Sequence, residues 1–208
     1  VTGVQTCALP IYVRIQGAAE AGLATAVKSA RAQGYRADGG AAVVMDVNNG
    51  RVLAMASYPT YDPNIWEKGL TVAQAKDMYS ASTYVPALSR PLQGLFAPAS
   101  TFKAISIFAA VKAGYNLNAT YDCPGLYKVG NREFTNYESK ELGRMNLKTG
   151  IAVSCDTLWY KIAYAEWLKD GGLSPKSPSD FFFNAAHQFQ LDKKTGIDLP
   201  GESYGRIP

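Results

Sequence analysis

The sequence holds one histidine in 208 residues, His187, so chemistry built on a histidine triad or a histidine-rich metal site has almost nothing to draw on. Cysteine is scarce too: the three residues Cys7, Cys123 and Cys155 fall at spacings that match no zinc or redox motif. Long apolar runs are missing. The longest candidate, Ala104 to Val111, falls far short of the ~18 residues that a spanning helix requires. A net charge of +4 is mild and spread along the chain, without the clustered Lys/Arg that would mark a nucleic-acid partner. What remains is an ordinary globular profile, 47% hydrophobic and 18% charged, sufficient for a packed core.

Residues 1–11 (VTGVQTCALPI) carry no charge and no clear period, and they read as the translation of a sequencing adapter. A signal peptide would need a basic n-region and a longer apolar run. The segment is set aside as artefactual, Cys7 with it, and the natural N-terminus is expected elsewhere. The sequence leaves open whether the two remaining cysteines, Cys123 and Cys155, pair.

Residues 18–33 are rich in strong helix formers and are closed by Gly34, which suits a left-handed cap. Two short Val/Ala-rich runs, 41–46 and 51–57, flank Asn48-Asn49-Gly50 and predict a β-hairpin. Residues 58–64 read as a loop, 71–80 as a short helix and 91–100 as irregular. From Ser100 a helix is expected, with Phe102, Ile105 and Ala109 on one face and Gly114 as its stop. The tyrosine-rich stretch 121–143 reads as a long loop or small hairpin. Helices are then expected over 147–153, 158–168 and 180–189, with a linker over 169–179 and an extended tail over 196–205.

Ser100-Thr101-Phe102-Lys103 places a serine and a lysine one turn apart on one helix face, where the amine can reach the hydroxyl. Such an S-x-x-K string arises about once by chance in a chain of this size. Its context adds weight. Pro98-Ala99 sets Ser100 at the helix start, where free backbone N–H groups favour the negative charge that develops in acyl transfer. Ser154-Cys155-Asp156, between two expected helices, supplies a second serine.

With these motifs in hand, residues 42–57, Tyr61-Asp62-Pro63-Asn64, 97–103, 154–157 and 195–202 resemble successive blocks of class B penicillin-binding proteins, over nearly all of 13–208. The resemblance implies an α/β penicilloyl-serine transferase fold, of the kind shared by β-lactamases and transpeptidases, with a sheet and a helical subdomain. It implies that Ser100 is the nucleophile attacking a D-Ala-D-Ala carbonyl, that Lys103 is the general base and that Ser154 relays a proton. Asp156 would hold the lysine and the substrate amide. No cofactor or metal is implied. The implied partners are peptidoglycan stem peptides, β-lactams and other cell-wall synthesis proteins, at the extracytoplasmic face of the cell membrane.

Asp156 departs from the commoner Asn of the family, and a carboxylate beside Lys103 opposes the base role, since it favours the ammonium. The family's third motif is K-T-G followed by a small hydroxyl residue on a strand. Lys148-Thr149-Gly150 and Lys194-Thr195-Gly196 both lack that fourth residue and are expected to be decoys. The block order leads us to expect the third motif beyond Pro208, a membrane anchor upstream of Tyr12, and an incomplete domain, nearly inert alone, over 12–208. Alternatives are a β-lactamase or β-lactam sensor on the same fold, or a catalytically weakened cell-wall scaffold. His187 reads as a surface or packing residue without a carboxylate partner, and Glu166 as part of a solvated helix face. Tyr115, Tyr121, Tyr127 and Tyr137 read as packing their loop down more readily than as lining a groove.

Overall fold

The computed structural model describes residues 11–207; the adapter-like residues 1–10 lie outside it. Helix α1 (Val13–Ala32) starts five residues earlier than its helix-forming composition indicates. The reason is tertiary. The Gln16 side chain donates to the Met55 carbonyl at 3.0 Å and accepts from the Met55 N–H at 2.8 Å, while the Tyr12 N–H donates to the Leu53 carbonyl, so the helix start is tied to a strand.

That strand is β2 (Val52–Tyr58), paired antiparallel with β1 (Gly40–Met45) as the hairpin pattern predicts. The connecting turn is ordered by Asp46, whose carboxylate accepts from the Asn48 N–H and from the Asn48 and Asn49 amides. These bonds hold the Asp46 carboxyl below its ordinary range. Alternation in β2 buries Val52, Ala54 and Ala56, which pack under α1 and its Val27. Small residues decide how close the helix lies: a Cβ on Gly40 would meet the Leu23 side chain at 2.8 Å. Helices α2 (Val72–Tyr79), with a Thr71/Gln74 capping box, and α3 (Arg90–Gln93) complete this compact unit together with residues 194–203. Arg90 is buried, with its guanidinium on the carbonyls of Tyr84, Val85 and Leu88.

The second unit comprises residues 97–193 and 204–208. A 3₁₀ turn, Ala99–Phe102, runs directly into α4 (Lys103–Lys112), so Ser100 sits in a tighter turn ahead of the α-helix and not in its first turn. Ile105 and Ala109 pack with Ala185, and Phe102 lies against the same cluster, the face expected from periodicity. The tyrosine-rich stretch is more regular than a loop. It contains β3 (Tyr121–Cys123), β4 (Leu126–Val129) and β5 (Arg132–Thr135), and β6 (Gly143–Met145) follows at its end. β4 and β5 form a tight hairpin about Gly130-Asn131, and β3 pairs with β6. Helices α5 (Leu147–Ala152), α6 (Thr157–Lys169) and α7 (Phe181–Gln188) follow near their expected positions. The core of the unit gathers Ala110, Cys123, Met145, Leu147, Cys155, Leu158, Trp159 and Ile162.

Cys123 and Cys155 are joined in a disulfide, which settles the pairing that the sequence left open. The expectation for Glu166 is corrected: it is 6% exposed, accepts from the Tyr115 hydroxyl at 2.8 Å and pairs with Lys169. Burial first, then the Glu166 carboxylate, pushes the Tyr115 hydroxyl above its ordinary range. His187 is corrected as well, since its Nδ1 lies 2.7 Å from Asp192 Oδ2, a partner just past the helix end. Among the described residues no helix is long and apolar enough to cross a membrane.

Candidate active site

The four residues singled out by sequence meet at one point of the second unit. Lys103, buried at the first position of α4, reaches back along its own turn to Ser100, with Nζ 3.1 Å from Oγ. Ser154 arrives from the end of α5. Its φ of 55° is left-handed, with the Ser154 N–H donating to the Ile151 carbonyl and the Cys155 N–H to the Gly150 carbonyl. This pair of bonds is a Schellman cap, in which glycine is the usual residue at the left-handed position. The geometry turns the Ser154 side chain onto the lysine: Oγ lies 2.8 Å from Lys103 Nζ and donates to Ser100 Oγ at 3.0 Å. Asp156 Oδ1 stands 2.5 Å from the same Nζ, and the Ser154 carbonyl 2.8 Å away.

Asp156 thus points at Lys103. Two of the four neighbours of Nζ, the carboxylate and the carbonyl, can only accept; the two serine hydroxyls can also donate. An ammonium on Nζ donates to the Asp156 carboxylate, its ion-pair partner, and to the Ser154 carbonyl, with its third hydrogen toward the two serine oxygens. Removal of that third proton leaves a lone pair facing Ser100 Oγ and Ser154 Oγ. Asp156 also reaches beyond the lysine: burial, and then its charge, raises the Tyr160 hydroxyl.

The site opens into a cleft of about 740 Å³ lined by Ser100, Ser154, Asp156, Asn136, Tyr137 and Lys140. Of the four tyrosines, Tyr137 lines the cleft. Tyr115 is bonded to Glu166, Tyr121 donates to the Asn116 carbonyl and Tyr127 packs on Tyr164. Sequence reasoning missed Asn136, which carries no motif and lies 18 residues before Ser154. Its side-chain oxygen accepts from the Asp156 and Thr157 N–H groups, and its amide nitrogen donates to the Pro124 and Lys140 carbonyls.

Lys148-Thr149-Gly150 is wound into α5. Lys194-Thr195-Gly196 lies in an irregular segment of the other unit, where the Thr195 N–H and hydroxyl both donate to Glu202.

The family model for the penicillin-binding protein transpeptidase domain covers residues 40–208. The chain belongs to the transpeptidase-domain family of penicillin-binding proteins. Peptidoglycan D,D-transpeptidase MrdA of Escherichia coli K12 is 34% identical over 174 residues, covering 81% of this chain and 25% of the relative. The chain spans about a quarter of the length of that curated relative. Among solved structures, Pseudomonas aeruginosa PBP2 matches at 29% identity with a TM-score of 0.66, over 89% of this chain and 39% of that one. The Helicobacter pylori complex of PBP2 with MreC matches at 26% and 0.67, over 82% and 30%. The α/β penicilloyl-serine transferase fold of this family is therefore the fold of the chain.

Proposed function

We propose that the protein carrying this chain is a peptidoglycan D,D-transpeptidase that forms an acyl-enzyme on Ser100. The observation that carries the reading is the triangle of Ser100 Oγ, Lys103 Nζ and Ser154 Oγ, with sides of 3.1, 2.8 and 3.0 Å. Ser100 Oγ attacks the carbonyl carbon of the penultimate D-alanine of a stem peptide. Its proton passes to Lys103, directly or through the Ser154 hydroxyl, and on to the nitrogen of the departing D-alanine. An acceptor amine then attacks the ester, loses its proton by the reverse route, and restores the Ser100 hydroxyl as the cross-link forms. A positioned base is worth ~10²–10⁴ in rate. Asp156 orients Lys103 and offers its outer oxygen to the substrate amide.

β-Lactams acylate the same hydroxyl in this reading. Hydrolytic turnover, the β-lactamase alternative, requires a further base to activate water, and Glu166 is already engaged by Tyr115 and Lys169. The Cys123–Cys155 disulfide favours an oxidising compartment, in keeping with work at the extracytoplasmic face of the membrane. Other cell-wall synthesis proteins are the expected partners, as MreC is for the H. pylori relative. Neither K-T-G string is assigned to the site.

The test is covalent. The full-length protein, incubated with a fluorescent penicillin and digested, is expected to carry the adduct on the peptide containing Ser100. An adduct on Ser154, or no adduct, overturns the assignment.

A further inference from the structure

Asp is among the best residues at a helix N-cap, because its carboxylate accepts from the free N–H groups of the first turn. Asp156 occupies that position of α6 and its side chain makes no capping bond. The task is done from elsewhere. Asn136, 4% exposed, places Oδ1 2.9 Å from the Asp156 N–H and 2.9 Å from the Thr157 N–H. Its amide nitrogen donates to the Pro124 carbonyl at 3.0 Å and to the Lys140 carbonyl at 2.8 Å. Both acceptor sites and both hydrogens are used, and the opposite amide orientation would set donors against donors. The next helix N–H, of Leu158, points to Cys155 Sγ at 3.2 Å. The start of α6 is thus satisfied without the Asp156 carboxylate, the Trp159 N–H going to the Asp156 backbone carbonyl.

We propose that Asn136 is a positioning residue of the acylation site: by capping α6 in place of Asp156, it frees the Asp156 carboxylate for Lys103 and holds the Ser154 loop in register with Ser100. It acts through Asp156 and Ser154, since its side-chain hydrogen-bonding positions are spent on the protein. Without it, Asp156 has open N–H groups at its own helix start as competing partners, and turning to them takes it off the lysine. The inference rests on Ser100 being the acylated residue, and the experiment separates the two.

In the full-length protein, the acylation rate constant and the apparent dissociation constant for a fluorescent penicillin are measured separately, beside thermal melts. Asn136→Ala is expected to lower the rate constant about 10²-fold with little change in apparent binding, the penalty of an approximately 1 Å misplacement. Asn136→Asp keeps the acceptor for both N–H groups but sets its second oxygen against the Pro124 and Lys140 carbonyls, and is expected to recover only part of the loss. Ile162→Ala, a core change in the same unit, is expected to lower the melting temperature and leave the rate constant in place. Should the alanine variant fail to fold, Asn136→Ser takes its place, since its hydroxyl is too short to reach both N–H groups. An unchanged rate constant in Asn136→Ala or Asn136→Ser overturns the proposal. So does an equal loss in Ile162→Ala. No labelling of the unaltered protein overturns the assignment of Ser100, and this inference with it.

Discussion

The two serines of the cleft are held in different ways. Ser100 is placed by the local path of the chain, a 3₁₀ turn continuous with α4, and its lysine comes three residues later on the same turn. Ser154 is placed by parts of the chain far away: a disulfide from Cys123 to the next residue, and the Asn136 amide one residue beyond that. Ser100 and Lys103 therefore come as a preset pair, while Ser154 is delivered to them by tertiary structure. Damage to the packing of the second unit should displace Ser154 first.

Removing the hydroxyls one at a time gives the largest contrast. Ser100→Ala should abolish covalent penicillin labelling. Ser154→Ala should keep the adduct on Ser100 and slow its formation by ~10²–10⁴, since the preset pair survives. Equal and complete loss in both variants, read by single-turnover labelling, would erase the distinction.

Cutting the disulfide should disturb Ser154 more than the Ser100–Lys103 pair, on top of a loss of global stability. A loop of this length contributes about 4 kcal/mol through the unfolded chain. Cys155→Ser, or reduction of the native protein, should lower the melting temperature and the labelling rate together. Labelling that stays at the native rate in fully reduced, folded protein would mean that Asn136 alone holds the loop.

Tyr115→Phe sharpens the comparison from outside the cleft. It leaves the buried Glu166 with Lys169 as partner and should cost about 1–2 kcal/mol in denaturant unfolding, without slowing acylation. The smallest loss is expected from Asp156→Asn. The amide keeps an oxygen for Lys103 and removes the charge that competes for its proton, so labelling should be preserved or faster. Slower labelling would make the carboxylate a requirement of this site.

How much was legible follows the same division. The Ser100–Lys103 contact is written in the spacing, because one helical turn fixes it wherever the helix lies. The β1–β2 hairpin is legible for the same reason, with its strands alternating around an Asn-Gly turn. Ser154 and Asp156 stood out as a motif and through the family resemblance, but their means of support did not. An asparagine in a tyrosine-rich stretch carries no local mark, and its use as a cap for another segment depends on pairings across the β3–β6 region. Glu166 was misjudged because its partner, Tyr115, is remote in sequence. The partner of His187 was within reach: Asp192 follows one turn past the end of α7, close enough for the chain to fold back on itself. The start of α1 escaped because it is held by β2 and not by propensity.

The end of α4 makes the same Schellman cap as the end of α5, with Gly114 at the left-handed position, φ 94°, where α5 has Ser154. A side chain there costs about 1–2 kcal/mol that glycine does not. Ala99, immediately before the nucleophile, also has a positive φ, of 47°. Two of the eight non-glycine residues with positive φ among the described residues thus stand at or beside the hydroxyls of the cleft. Ser154→Gly should raise the melting temperature of the protein while stripping out its proton relay, so selection for thermal robustness alone would favour an inactive variant. The active site persists against the preference of its own backbone, and a gain in stability at position 154 marks a loss of function.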